Sequence, residues 1–274
     1  MKLVVRYVVA GLTAVLAALV LVGLASTSWW ASVIHGRAPA LKVLPPIEHS
    51  AVFTCAQGFY INPHDGQCRP CPRGTFTSPP SIVECVPLLT CDEISRDIGS
   101  LAKFSTGGVK TLFRGRWKGP HVHAIDVLVA RPHPGLVDDF KMGKDNLDAI
   151  GPHPLIIRPI GHCNDPPMLV FPLYRLGSAL NVNAVAAQVE DALELRLQLV
   201  EDYASILVHL HHQASSNGAF VMCDADSVGK LLSQFLISDD YRLILNDVDA
   251  LPLATPTHKI KCGHRELSGD FVGA

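Results

Sequence analysis

The sequence predicts an α+β domain preceded by a transmembrane helix and a small disulfide-rich segment. Three observations predict it. Tyr7 to Ile34 carries no charged residue, and five of the eight cysteines fall between Cys55 and Cys91. Beyond Cys91 the apolar pattern alternates between the two-residue period of strands and the longer period of helices.

The first element is the span. YVVAGLTAVLAALVLVGLAS begins at Tyr7, and about 20 apolar residues in a helix cross a bilayer core. Trp29 and Trp30 close the stretch at the expected headgroup level, while Lys2 and Arg6 precede it, so the positive-inside bias puts residues 1–6 in the cytosol. Residues 7–30 are therefore expected to form a signal anchor of a single-pass type II membrane protein. A cleaved signal peptide is the alternative, because Ala25-Ser26-Thr27-Ser28 offers small residues, but this apolar run exceeds a usual signal core. Residues 31–54, with RAPALKVLPPIEHS, read as a Pro-bearing stem.

Residues 55–90 form the cysteine-rich segment. Cysteines there stand beside the turns Gly58-Phe59-Tyr60 and Gly74-Thr75-Phe76 without a hydrophobic run to supply a core, so disulfides must hold the shape. Cys68-Arg69-Pro70-Cys71 has zinc-like spacing, but no second matching pair follows, and the lumenal side of a membrane is oxidising. The repeated cysteine and Gly-aromatic turn is similar to the cysteine-rich repeats of ephrin-receptor and growth-factor-receptor ectodomains, which implies a stalk or contact module.

Residues 91–274 are the folded domain. CDEISRDIGSLAK places Asp92 and Glu93 in the first turn of a helix whose Ile94, Ile98 and Leu101 keep helical spacing. FSTGGVKTLFRGRW reads as two strands around a glycine turn, and VHAIDVLVA as a third strand. DDFKMGKDNLDAI is a helix; PLIIRPI and MLVFPLY are further strands. A long amphipathic helix follows from Ala184 to Leu210, and short strands then bracket two Asp-bearing loops, VMCDADSVGKLLSQFLI and LILNDVDALP.

Composition removes other classes. Charged residues are 18% of the 274, too few for a charge-driven coiled coil or a disordered chain, and apolar residues are 48%. Lys plus Arg (23) nearly balances Asp plus Glu (25), so no basic field exists for nucleic acid.

The order of elements, glycine hairpin, third strand, helix, two strands, long helix and two acidic loops, resembles that of a protein kinase. VMCDADSVGKLLSQFLI, LILNDVDALPL and KCGHRELSGDFV together are similar to the protein O-mannose kinase family, secretory-pathway kinases that are type II membrane proteins. The resemblance implies a protein-kinase-like bilobal fold. It implies ATP and Mg²⁺ as cofactors and transfer of the γ-phosphate to the 6-hydroxyl of protein-linked mannose. The acceptor would be a GalNAc-GlcNAc-mannose trisaccharide of the α-dystroglycan type, met in the endoplasmic reticulum or Golgi. The chain stops at Ala274, where this family would continue into an Ala-Pro-Glu motif, so an incomplete C-lobe is expected. A non-catalytic membrane protein that binds glycan or a partner is the alternative function.

Phosphoryl transfer needs the phosphates held, magnesium fixed and the attacking hydroxyl relieved of its proton. Gly107 and Gly108 occupy the loop whose backbone N–H groups approach phosphate, although Ser105 stands where the first glycine of the usual pattern belongs. HAID ends in Asp126 where ordinary kinases carry their phosphate-binding lysine. The resemblance to with-no-lysine kinases assigns that task to Lys110 instead. Gly143 falls where the helix would carry its glutamate, so a partner for Lys110 must come from elsewhere, with Asp145 or Asp139 as candidates. Asp224 is the expected general base, with Met222 and Cys223 in place of the usual His and Arg. Gln234 and Asp247 are the expected magnesium ligands, since Mg²⁺ takes hard oxygen donors. Asp249 is expected to serve a surface turn or helix cap, with a second metal contact as its other possible role. His209, His211 and His212 on the long helix read as packing residues. Cys223 and Cys262 are expected to form a disulfide that pins the activation segment, two buried thiols being the alternative.

Overall fold

The computed structural model describes residues 55–56, 58–77, 84–118, 124–213, 218–223, 225, 227–249, 251–255, 258, 260–262 and 265–267. The expected membrane span and stem lie outside the described residues. Among those residues no helix is long and apolar enough to cross a membrane.

The cysteine-rich segment folds as two small antiparallel hairpins. Strands β1 (Phe59–Ile61) and β2 (Cys68–Pro70) form one, β3 (Thr75–Thr77) and β4 (Cys85–Pro87) the other. Disulfides Cys55–Cys68 and Cys71–Cys85 staple them, so Cys68 and Cys71 enter separate bridges and not a shared metal site. The segment is tied into the next layer. Phe76 is fully buried and its ring lies 5.8 Å from that of Trp117.

Helix α1 (Cys91–Asp97) starts at Thr90, where a capping box forms: Glu93 N–H donates to Thr90 Oγ1, and Thr90 N–H donates to Glu93 Oε2 at 2.8 Å. The Cys91–Cys163 disulfide fastens this helix to the sheet. Five antiparallel strands make that sheet: β5 (Ala102–Thr106), β6 (Lys110–Trp117), β7 (Ile125–Pro132), β8 (Gly161–Asn164) and β9 (Pro167–Pro172), in the spatial order β5-β6-β7-β9-β8. Val127, Val129 and Val170 pack with Ile94 and Trp117 on one face. Fully buried aliphatic side chains of this kind contribute about 1.5–3 kcal/mol each.

Helix α2 (Val137–Ile150) joins the two halves of the domain. Phe140 packs on Ala130 and Leu169 of the sheet, whereas Leu147 and Ile150 belong to a second, larger core. Gly151, at φ +77, ends the helix in a backbone conformation that side-chain-bearing residues avoid.

PLIIRPI is not a strand, contrary to expectation. Leu155, Ile156 and Ile157 are buried, and Ile157 N–H donates to the carbonyl of Leu245 while Leu245 N–H returns to that of Leu155, but this amounts to one isolated parallel bridge. Pro159 lacks the N–H that would extend the ladder. The edge strand is instead the next segment, β8.

The long helix expected from Ala184 to Leu210 is also divided. Helix α3 (Val182–Ala186) ends after little more than one turn, and α4 (Ala192–Val208) begins afresh because Asp191 caps it, its Oδ1 accepting from the N–H groups of Leu193 and Glu194. A π-helical turn, His209–Gln213, follows. Beyond it come β10 (Ala219–Phe220), α5 (Val228–Ser233), β11 (Phe235–Ile237), β12 (Leu243–Leu245), β13 (Leu253–Ala254), β14 (Ile260–Cys262) and β15 (Arg265–Leu267). Phe235, Leu245, Ile206 and Leu210 fill the second core with Leu147 and Ile150. A five-stranded antiparallel sheet with two helices, followed by a half of short strands around the longer helix α4, is a mixed α/β architecture consistent with a kinase-like fold.

Candidate active site

Strand pairing decides which residues can meet. The β5–β6 hairpin turns through Gly107 and Gly108, and Gly107 N–H donates to the carbonyl of Lys110 at 2.9 Å. Neither glycine is in the left-handed region, so the turn does not require glycine for its backbone angles. A side chain on Gly108 would meet nothing within 4 Å, so the bare backbone leaves open space above the turn. That is the room a phosphate chain needs.

Lys110 is the first residue of β6, directly after this turn. Its Nζ donates to Asp249 Oδ2 and lies 3.9 Å from Asp247 Oδ1. Both carboxylates sit in the loop after β12. Asp247 is 41% exposed, while the side chains of Lys110 and Asp249 are 20% and 16% exposed. The glycine hairpin and the acidic loop, far apart in sequence, therefore share one polar cluster.

Gln234 adjoins the cluster through its backbone. The carbonyl of Gln234 accepts the N–H groups of Asn246 at 2.9 Å and Asp247 at 3.2 Å, because β11 pairs with β12 in the register Phe235↔Leu245. Its side-chain Nε2 donates to the carbonyl of Lys230 and to Ser233 Oγ, both at 3.2 Å. The donor end of the amide is engaged within α5, and the amide oxygen is the end with a lone pair for a cation.

Asp224, the expected base, lies outside the described residues. Its neighbour Cys223 forms a disulfide with Cys262, as the sequence led us to expect, and Val221 N–H donates to the carbonyl of Pro252 at 3.0 Å. The segment that carries Asp224 is thus fastened on one side to the loop that follows Asp247.

Three expectations need correction. Asp126 does not stand in the phosphate-binding position: Lys110 pairs across the ladder with Pro132, six residues further along β7, which is about 20 Å of strand. Asp126 forms a surface ion pair with Arg114 at 2.7 Å. Neither Asp145 nor Asp139 partners Lys110. Asp145 is exposed, about 200° around α2 from Gly143, and Asp249 takes the lysine instead. Asp249 accordingly lies in a turn, but it is largely buried there and holds Lys110 in place of capping a helix. A carboxylate two residues beyond Asp247, together with a glycine in the helix where an acid was expected, was the sequence signal for this.

The histidines divide. His209 is buried, donates from Nε2 to the carbonyl of Ile150 at 3.0 Å and stacks on His153 at 4.6 Å, so it packs as expected; His212 is exposed. Sequence reasoning missed the buried Asp202, which ion-pairs with Arg242.

The donor set suits Mg²⁺. Asp247 and the Gln234 amide supply hard oxygens, and such sites hold the ion through one or two carboxylates plus substrate phosphates. Lys110 and the open Gly107-Gly108 turn suit the phosphates themselves.

No protein-family model matches the chain. The chain is similar to the protein O-mannose kinase of Macaca fascicularis, 34% identical over 244 residues that make up 86% of this chain and 67% of that protein. It is similar to the human protein O-mannose kinase, at 33% with the same coverage, and to that of Gallus gallus, at 34% over 76% of this chain and 58% of the relative.

Proposed function

This chain belongs to the protein O-mannose kinase family, and we propose that it transfers the γ-phosphoryl group of ATP to a hydroxyl of protein-linked mannose. The observation that carries the reading is the cluster of Lys110, Asp247 and Asp249 beneath the Gly107-Gly108 turn. It joins an ammonium for phosphate oxygens to a carboxylate for a cation, and little else is asked of a protein in phosphoryl transfer. The alternative of a non-catalytic binding protein is not favoured by relatives named as kinases.

In this proposal Lys110 binds α- and β-phosphate oxygens, and backbone N–H groups of Gly107 and Gly108 line the approach. Asp247 and Gln234 hold Mg²⁺, which when bound neutralises charge on the phosphates. Asp224 accepts the proton of the attacking sugar hydroxyl as its oxygen bonds to the γ-phosphorus and the bond from that phosphorus to the bridging oxygen breaks, releasing ADP. The acceptor we propose is the 6-hydroxyl of mannose in a GalNAc-GlcNAc-mannose trisaccharide on an α-dystroglycan-like glycoprotein. All eight cysteines are in disulfides, which supports an oxidising compartment, and with the span expected at residues 7–30 this favours the lumenal side of the endoplasmic reticulum or Golgi membrane.

The test is transfer of labelled phosphate from Mg-ATP to a synthetic O-mannosyl trisaccharide peptide by the full chain in detergent. Asp224→Asn should abolish the transfer, and Lys110→Ala should raise the dissociation constant of Mg-ATP measured by calorimetry. Unchanged turnover in Asp224→Asn would refute the assignment, and equal nucleotide binding by Lys110→Ala would remove the lysine from the site.

A further inference from the structure

We propose that Asp249 is the positioning carboxylate for Lys110, and that Gly143 is the notch in α2 that admits it; this rests on the reading of Lys110 as the phosphate-binding lysine. In protein kinases generally that lysine is held by a glutamate of the helix beneath it. Here the acid comes from the loop after β12.

Gly143 lies on the buried stripe of α2 between Phe140 and Leu147. A Cβ at position 143 would overlap Asp249 Oδ1 and lie 3.1 Å from its carboxyl carbon, so any side chain there would expel the carboxylate. Asn146, one turn further on, donates from Nδ2 to the carbonyl of Val248 at 2.8 Å and locks the loop against the helix. The glycine, the asparagine and Asp249 together form a socket in which the carboxylate faces Lys110. The lysine-holding Asp249 and the cation-holding Asp247 share one three-residue turn, so rotation of α2 cannot part the lysine from its acid while the metal ligand stays in place. An enzyme built this way lacks the helix-swing switch available when the acid resides on the helix.

Asp249→Asn leaves the charge of Lys110 but loses its orientation, and it removes a negative charge beside the anionic nucleotide. Turnover should therefore fall at least about tenfold, while the Mg-ATP dissociation constant stays within about threefold of wild type or tightens. The charge-transposed pair Asp249→Gly with Gly143→Glu should recover turnover to within about tenfold of wild type. Without nucleotide, Gly143→Glu alone should melt well below wild type, and the added Asp249→Gly should restore much of that loss, because the two carboxylates compete for one volume.

The experiment uses the full chain in detergent, with Mg-ATP for calorimetry, thermal melts without nucleotide, and turnover on the mannosyl peptide. Full turnover by Asp249→Asn overturns the proposal. So does a weakened Mg-ATP affinity that excess Mg²⁺ restores, which would make Asp249 a metal ligand. A transposed pair that melts like wild type yet turns over no faster than Asp249→Gly overturns it too, as does a pair that melts no higher than Gly143→Glu. If Lys110→Ala binds Mg-ATP as wild type does, the site reading itself falls, and that single variant separates the two failures.

Discussion

Asp202 of α4 accepts hydrogen bonds from both Nε and Nη2 of Arg242, at 3.0 Å and 2.7 Å, although the two residues are forty apart in sequence. Its carboxylate is 1% exposed, and it also accepts from the Leu243 N–H at 2.9 Å and from Gln198 Nε2. A charge so deeply buried persists only because four donors converge on it. Arg242→Ala would leave the carboxylate short of its main partner, so stability should fall by about 2–4 kcal/mol, measured by urea unfolding. A loss under about 0.5 kcal/mol, the range of ordinary surface substitutions, would show that the pair does not anchor α4.

The Cys91–Cys163 bridge closes a separation of 72 residues and ties α1 to the edge strand β8. Chain-entropy arguments assign such a loop about 4 kcal/mol. The double variant Cys91→Ser with Cys163→Ser should lower the unfolding free energy by roughly that much under oxidising conditions, whereas added reductant should hardly affect the variant at this site.

Gly161 of β8 sits where Leu89 crosses the sheet edge, and a side chain at that position would bring its Cβ to 2.6 Å from Leu89 Cβ and 3.1 Å from the Leu89 carbonyl oxygen. The Leu89 N–H and carbonyl bond here to Ile160 and His162. Gly161→Ala should break this bridge at a cost of about 1–3 kcal/mol, seen as faster amide exchange at His162.

Burial pushes the His153 imidazole down to about 4, and the stacked His209 ring contributes to the shift. Its folded pKa lies below its ordinary value of 6.5, so the unfolded chain binds the extra proton between the two. This contribution is full above pH 6.5 and is lost progressively as the pH falls toward 4. Discounted for solvent contact, its magnitude is about 1–2 kcal/mol. His153→Asn should flatten the stability profile across that window, and an unchanged slope would assign acid sensitivity to other groups.

The hairpin turn at Gly107-Gly108, the helix with Asp138 and Asp139 in its first turn, and the acidic loop after an apolar strand were all legible as local patterns, because turn chemistry and hydrophobic period are written within a few residues. The break before α4 was harder to see. Asp191 interrupts an otherwise continuous helical period, and a capping side chain outweighs modest helix propensity only when the preceding turn packs elsewhere. The segment 154–160 misled for the opposite reason: its apolar run is that of a buried strand, but two prolines and a single bridge to Leu245 make it an irregular core segment.

By itself the sequence determined the glycine hairpin, the third strand, the helix after it and the acidic loops in their order, the need for disulfides, and the identities of Lys110 and Asp247 as the charged groups beside a glycine turn and an apolar strand, because each is a local pattern of period, spacing or charge. Tertiary structure alone decided which acid holds Lys110 and how the six cysteines from Cys55 to Cys163 pair. A glycine carries no sign of what will fill the space beside it, and that choice is settled only when α2 and the loop after β12 pack against each other. Six cysteines admit fifteen pairings, and the two small hairpins and the contact of α1 with the sheet edge select among them.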